Sequence, residues 1–228
     1  MSAQSRHTFS DLGTVAYCPR QLYYHRQHDT DREPPPKVEA RRELAFRYPE
    51  FLRSFDDSDP LSDCPIAVTP TQYRTNLSCA SERLDAWGAL CRPAEREVLL
   101  EGKECRGIVH KLLDLDSPTP SLVFTGAPPD RGVWQPHSVR AVAAAKALAW
   151  ERETPVERAF VEYAAHGVIR EVRLSGRGKA MYRETIDAIE AIDGPPARVD
   201  NDAKCESCEF RAECGTKTRS LRSLLGLG

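Results

Sequence analysis

No stretch of this 228-residue chain approaches eighteen uncharged apolar residues, and its first residues, MSAQSRHTFSDLG, carry no apolar run of the secretory kind. The expectation is therefore a cytoplasmic protein without a membrane partner. Internal repeats and low-complexity tracts are also missing, which excludes solenoid and fibrous architectures. Neither sign of charge dominates: 32 Lys and Arg stand against 34 Asp and Glu, a formal charge of -2. That balance neither demands nor excludes a nucleic acid, because a local basic groove suffices to bind one. What is present is ordinary globular material, 40% hydrophobic and 29% charged, and enough chain for one well-buried unit.

Ser10 and Asp11 precede an apolar and aromatic run through Tyr24, read as a capped helix interrupted at Pro19. DREPPPK breaks structure, and VEARRELAFRYPEFLRSF restores a helical pattern up to the turn DDSDP. Residues 60–80 read ambiguously. From Arg96, the segments EVLLEGKE, CRGIVHKLLDL and PSLVFTG read as three strands. SVRAVAAAKALAWERE follows as a helix with Val139, Val142, Ala143, Lys146, Ala147 and Trp150 along one face. RAFVEYA and VIREVRL flank His166-Gly167 as a hairpin, and GKAMYRETIDAIEAI closes the core as a helix ended by Gly194 and Pro195. The order β-β-β-α-β-β-α predicts an α/β fold, a mixed sheet flanked by helices. One domain spans 1–228: an N-terminal helical part over 1–60 that carries Cys18, an α/β core over 96–193, and a cysteine-rich tail over 200–228.

Eight cysteines without a secretory signal point to metal binding rather than to a disulfide framework. Cys64, Cys79, Cys91 and Cys105 are scattered singletons, each read as a small buried hydrophobe. The organised set is CESCEFRAEC, a C-x2-C-x5-C motif at Cys205, Cys208 and Cys214. A C-x2-C turn aims two thiolates at one ion or cluster, and a third nearby suits zinc or iron–sulfur chemistry. An isolated redox pair fits less well, since a third cysteine is present and no thioredoxin-like unit follows. Cys18, in YCPRQLYY, is the natural fourth ligand. On spacing alone a structural zinc site explains these residues as well as a cluster does, and His25 could stand in for one thiolate.

F9-S-D-L12 leading into Y17-C-P-R-Q-L-Y-Y24, the elements of 96–193 and the terminal cysteine motif together resemble the CRISPR-associated RecB-type exonucleases. These form an iron–sulfur branch of the PD-(D/E)XK nucleases. The resemblance implies a restriction-endonuclease-like fold and a 4Fe–4S cluster on Cys18, Cys205, Cys208 and Cys214 that staples the two ends of the chain in a terminal subdomain. It also implies single-stranded DNA ends or spacer precursors as substrate, and CRISPR adaptation proteins as partners.

That family places an Asp on one strand and E-x-K on the next, so that carboxylates hold Mg2+ or Mn2+ while the lysine orients water. One assignment takes Asp85 from ERLDAWGAL with Glu101 and Lys103 from VLLEGKE, giving a metal-dependent exonuclease. A competing register needs no insertion. It puts CRGIVHKLLD on the Asp strand and SLVFTG on the E-x-K strand, so that His110, Val123 and Thr125 take the catalytic positions and the site is degenerate. In that register the family's helical glutamine and tyrosine correspond to Val142 and Lys146, and residues 36–56 lack the histidine many relatives carry there. The protein is then a silent DNA-binding or partner-docking relative. Solvated edge-strand residues are the structural explanation of Glu101 and Lys103, and a satisfied core position that of His110. Arg20, Arg26, Arg131, Arg140, Lys217, Arg219 and Arg222 could attract phosphates, with Tyr23, Tyr24 or Trp134 stacking on bases, or simply solvate a surface.

Overall fold

The computed structural model describes residues 7–28, 35–53 and 59–216. Its chain order opens with β1 (His7–Thr8), α1 (Phe9–Tyr17) and α2 (Pro19–His28). Thr8, rather than Ser10, caps α1. Its side chain accepts the Asp11 N–H while the Asp11 carboxylate accepts the Thr8 N–H, each at 3.0 Å, a reciprocal capping box. Pro19 divides α1 from α2 as the sequence indicates, sitting at the first position of α2 where a missing N–H costs nothing.

The expected helix over 38–55 is broken into α3 (Pro36–Glu43), a 3-10 turn over Leu44–Phe46 and α4 (Tyr48–Phe51). Pro49 again sits in a first turn. The ambiguous segment contains the start and most of α5 (Pro70–Arg83), capped by Thr69, whose side chain accepts the Gln72 N–H. A short α6 (Trp87–Cys91) leads to the core.

That core is β2 (Glu95–Glu101), β3 (Cys105–Leu113), β4 (Thr119–Phe124), α7 (Gln135–Glu151), β5 (Arg158–Tyr163), β6 (Val168–Arg173) and α8 (Gly176–Glu190), the order read from the sequence. The sheet is mixed: β2–β3, β3–β4 and β5–β6 are antiparallel, and β1–β3 and β4–β5 parallel. Two cores form, one on each face. Phe9, Leu12, Val142, Leu122, Tyr182 and Ile186 unite α1, α7 and α8 over one face. Tyr48, Phe51, Tyr73, Leu77, Phe160 and Ile169 pack α4 and α5 over the other. β4, covered on both sides, is buried at every position, the polar Thr119 and Ser121 included.

α7 departs from the single-stripe reading. Ala141, Ala144, Ala145 and Leu148 are fully buried alongside Val139, Val142, Ala143 and Ala147, whereas Trp150 is 57% exposed. The small residues allow close packing of α1, α8 and the sheet around one helix. Of the scattered cysteines, Cys105 is buried, Cys64 and Cys91 are half-buried and Cys79 is exposed on α5, against the expectation of burial.

The last elements are α9 (Asp202–Glu206) and α10 (Arg211–Thr216). Among the described residues no helix is long and apolar enough to cross a membrane.

Candidate functional site

The two ends of the described chain meet at one cavity. Cys18 is the C-cap of α1, Cys205 lies in α9, Cys208 in the turn after it and Cys214 in α10, and all four line that cavity. The placement follows from local chemistry. Asn201 caps α9 by accepting the Lys204 N–H, Lys204 Nζ donates to the Tyr17 carbonyl at 3.0 Å, and Gln21 Nε2 donates to Cys208 Sγ at 3.4 Å. Phe210, 7% exposed, stacks on Tyr24 and His28 and meets the edge of His25. His25 and His28 lie 3.7 and 2.9 Å from Glu209 and Glu213, and His25 is not among the residues lining the cysteine cavity.

The cavity wall is cationic: Arg20, Arg198, Lys204 and Arg211 contribute to it. A hydrogen bond to Cys205 and then its charge hold the Arg198 guanidinium above its ordinary range. Among the described residues no three His, Cys, Asp or Glu side chains group closely enough for one ion.

Asp85, Glu101 and Lys103 are not brought together. Asp85 receives both contacts of Arg158 Nη1, at 3.0 Å to each oxygen, in an acidic depression with Asp116, Glu157 and Glu171. Glu101 ends β2 opposite Arg106. Arg158 lies two residues before Phe160, the register partner of Ser121, which places it beside Thr119, the partner of Leu113. Arg106 and Leu113 are seven residues apart on β3, on the order of 20 Å at the usual rise per strand residue. The E-G-K triplet is a hairpin turn. Gly102 N–H donates to the Cys105 carbonyl at 2.8 Å, and a Cβ on Gly102 would lie 2.8 Å from the Ala147 backbone.

In the competing register, His110 and Val123 lie in direct contact. The β3–β4 ladder runs from the Leu113–Thr119 pair only to Lys111–Ser121. Beyond it the Val123 N–H is taken by His110 Nδ1 at 3.0 Å. His110 is 5% exposed, and burial first, then the fields of Arg42, Arg140 and Lys111, push its pKa down to about 3. Thr125 turns its carbonyl to Arg41 Nη1 at 3.5 Å, Val142 is fully buried and Lys146 lies 4.9 Å from the Tyr182 ring centroid. His110, Val123 and Thr125 supply no carboxylate.

A groove adjoins the cysteine cavity, sharing Tyr17, Gln21 and Lys204 with it, and its lining contains no Asp or Glu. Trp134, 49% exposed, is anchored by Nε1 to the Ala127 carbonyl at 2.8 Å. Arg140 crosses α1 at Gly13, where a Cβ would lie 2.7 Å from its Cδ, and ends 4.8 Å from the Phe124 ring centroid. Burial, then the charge of Arg42, lowers its pKa to about 10. His137 stacks on Phe124 with centroids 3.7 Å apart, and burial first, then Arg140, lowers its pKa to about 4.

Of the other expected cations, Arg20 is buried, Arg26 and Arg131 are exposed, and Lys217, Arg219 and Arg222 lie outside the described residues. Tyr24 is buried in the clasp and offers no stacking face. Gly13, Arg41, Arg42 and His137 escaped the sequence reading. The only signal was the paired arginines of α3.

No family model and no curated protein matches the sequence. Among solved structures, the protein SSO0001 aligns over 95% of this chain and 89% of its own, at 14% identity and a TM-score of 0.46. A provisionally named exonuclease from Eubacterium rectale aligns over 96% and 90%, at 10% identity and a TM-score of 0.48.

Proposed function

We propose that this chain is an iron–sulfur protein of nuclease-like fold that binds single-stranded DNA and does not cut it by the metal-dependent route. The observation that carries the reading is the carboxylate-free groove beside the four-cysteine cavity. Cys18, Cys205, Cys208 and Cys214 are the ligands of a 4Fe–4S cluster, whose part is to tie α9 and α10 to α1 and α2. Lys204 and Arg140 attract phosphates, and Trp134 offers a stacking face for an unpaired base. A divalent ion needs hard oxygen ligands, and His110, Val123 and Thr125 offer no carboxylate for Mg2+ or Mn2+. The family resemblance of the motifs supports DNA ends as the ligand and a CRISPR adaptation complex as the setting, in which the chain contributes binding or docking.

The test is anaerobic purification with iron and sulfide analysis, then single-stranded DNA binding and manganese-dependent cleavage on the same sample. Four iron and four sulfide per chain, with DNA retained uncut and binding lost in Trp134→Ala, is the expected result. Zinc in place of iron, or manganese-dependent cleavage abolished by Glu101→Ala, overturns the reading.

A further inference from the structure

At the inner end of the groove, which Arg140 also lines, three arginines surround the place where β3 and β4 part. Arg41 and Arg42 lie on α3, and Arg140 lies in the second turn of α7. Arg41 reaches the Thr125 carbonyl just past β4, and Arg140 covers the face of Phe124 at the end of that strand. Arg42 is close enough to Arg140 and His110 to disfavour a positive charge on either.

Like charges do not gather around a buried neutral imidazole without cost, and an unpaired guanidinium N–H shut away from water is a further cost. The Nε atoms of Arg41, Arg42 and Arg140 are all buried with no hydrogen-bond partner. Among the described residues none of the three forms an ion pair with a carboxylate. The field of Arg42 reaches Glu97 on β2, but no contact within ion-pair distance joins them. His110 cannot supply the missing counter-charge, because it is neutral and its Nδ1 is occupied by Val123.

We infer that Arg41, Arg42 and Arg140 form a phosphate-binding site at the open end of the β3–β4 pair. Guanidinium groups suit a tetrahedral oxyanion because their planar N–H forks pair with two oxygens at once. A phosphate there meets the orphaned donors and offsets the repulsion among the three cations. The site is separate from the cysteine cavity and shares only Arg140 with the groove, so its test does not depend on the groove holding DNA.

The experiment uses the full chain, purified anaerobically, in thermal melts with inorganic phosphate against sodium chloride at equal ionic strength. Phosphate at about tenfold its dissociation constant should raise the melting temperature by about 4 °C over chloride. Arg41→Gln combined with Arg42→Gln should remove that increment, while its far-UV circular dichroism and melting temperature in chloride stay close to those of the parent. No increment in the parent, or an increment that survives the double substitution, overturns the inference. The parent comparison decides even where the double variant does not fold.

Oligonucleotides with and without a 5′ phosphate then separate the sources. Tighter binding of the phosphorylated strand, by about tenfold and only with both arginines present, assigns a terminal phosphate. Equal binding of the two strands, weakened equally by the substitutions, assigns a phosphodiester. Trp134→Ala that abolishes DNA binding but keeps the phosphate increment separates this site from the groove.

Discussion

His110 Nδ1 accepts the amide hydrogen of Val123 at 3.0 Å, so a side chain from β3 does for β4 what a backbone carbonyl does elsewhere in the sheet. The bond requires a neutral ring with its proton on Nε2. Protonation would break it, beside Arg42 and Arg140. The folded pKa, about 3, lies below the ordinary 6.5. Stability is therefore full above pH 6.5 and falls as pH drops toward 3, because the unfolded chain binds a proton that the folded chain refuses. The slope approaches about 1.4 kcal/mol per pH unit from this residue. His137, lowered to about 4, contributes a second proton over part of the range. Urea unfolding between pH 7 and 4 should show the loss, and His110→Gln should flatten it by about one proton. Parallel curves for parent and variant would remove His110 from the account.

Beneath the sheet, Lys111 Nζ reaches Glu162 Oε2 at 2.8 Å and the carbonyls of Ala45 and Leu90 at 2.7 and 2.9 Å, with both side chains fully buried. Ser121 Oγ completes the network by donating to Glu162 Oε1 at 2.5 Å. Lys111→Met strands a buried carboxylate and should cost about 3–5 kcal/mol in urea unfolding, whereas adding Glu162→Gln should recover a large part of it. Additive losses in the double variant would show that the two residues do not act as a pair.

Gly102 packs against α7 with no room for a methyl group. Gly102→Ala should push the β2–β3 turn off Ala147 and lower stability by about 1–3 kcal/mol. Glu101→Ala and Lys103→Ala, whose side chains are exposed on either side of it, should change stability by less than about 0.5 kcal/mol and leave DNA binding as it was. A loss of binding in either would return E-G-K to the functional site.

The fold was legible where a pattern had one strong cause. β-branched runs gave β2 to β6, and the proline at 19 placed the break between α1 and α2. α5 was not legible, because only Tyr73, Leu77 and Ala80 of its fourteen residues are buried, too few for a visible stripe. The E-G-K triplet carried a structural signal that its residue types hide: Glu101 and Lys103 flank a glycine that lets a turn approach a helix closely. Strand continuity put His110 beside Val123, and the His110 ring does accept the Val123 N–H. Arg41 and Arg42 acquire meaning only from the partner elements, β4 and α7, that fold against them.

Cys18 and Cys208 come from opposite ends of the chain yet face one cavity, so removal of the proposed cluster should act on the terminal elements first. Contacts at this corner include Phe210, Lys204 to Tyr17, Gln21 to Cys208 and histidine–glutamate contacts that are largely exposed, and exposed pairs contribute about 0–1 kcal/mol each. Chelation of iron, or Cys18→Ser, should therefore open α9 and α10 to limited proteolysis while the 95–190 core resists. Cys214→Ser should give the same fragment, because loss of either ligand releases the same contact between the chain ends. Iron bound equally by both variants, or cleavage that begins in the core, would separate the cluster from the clasp.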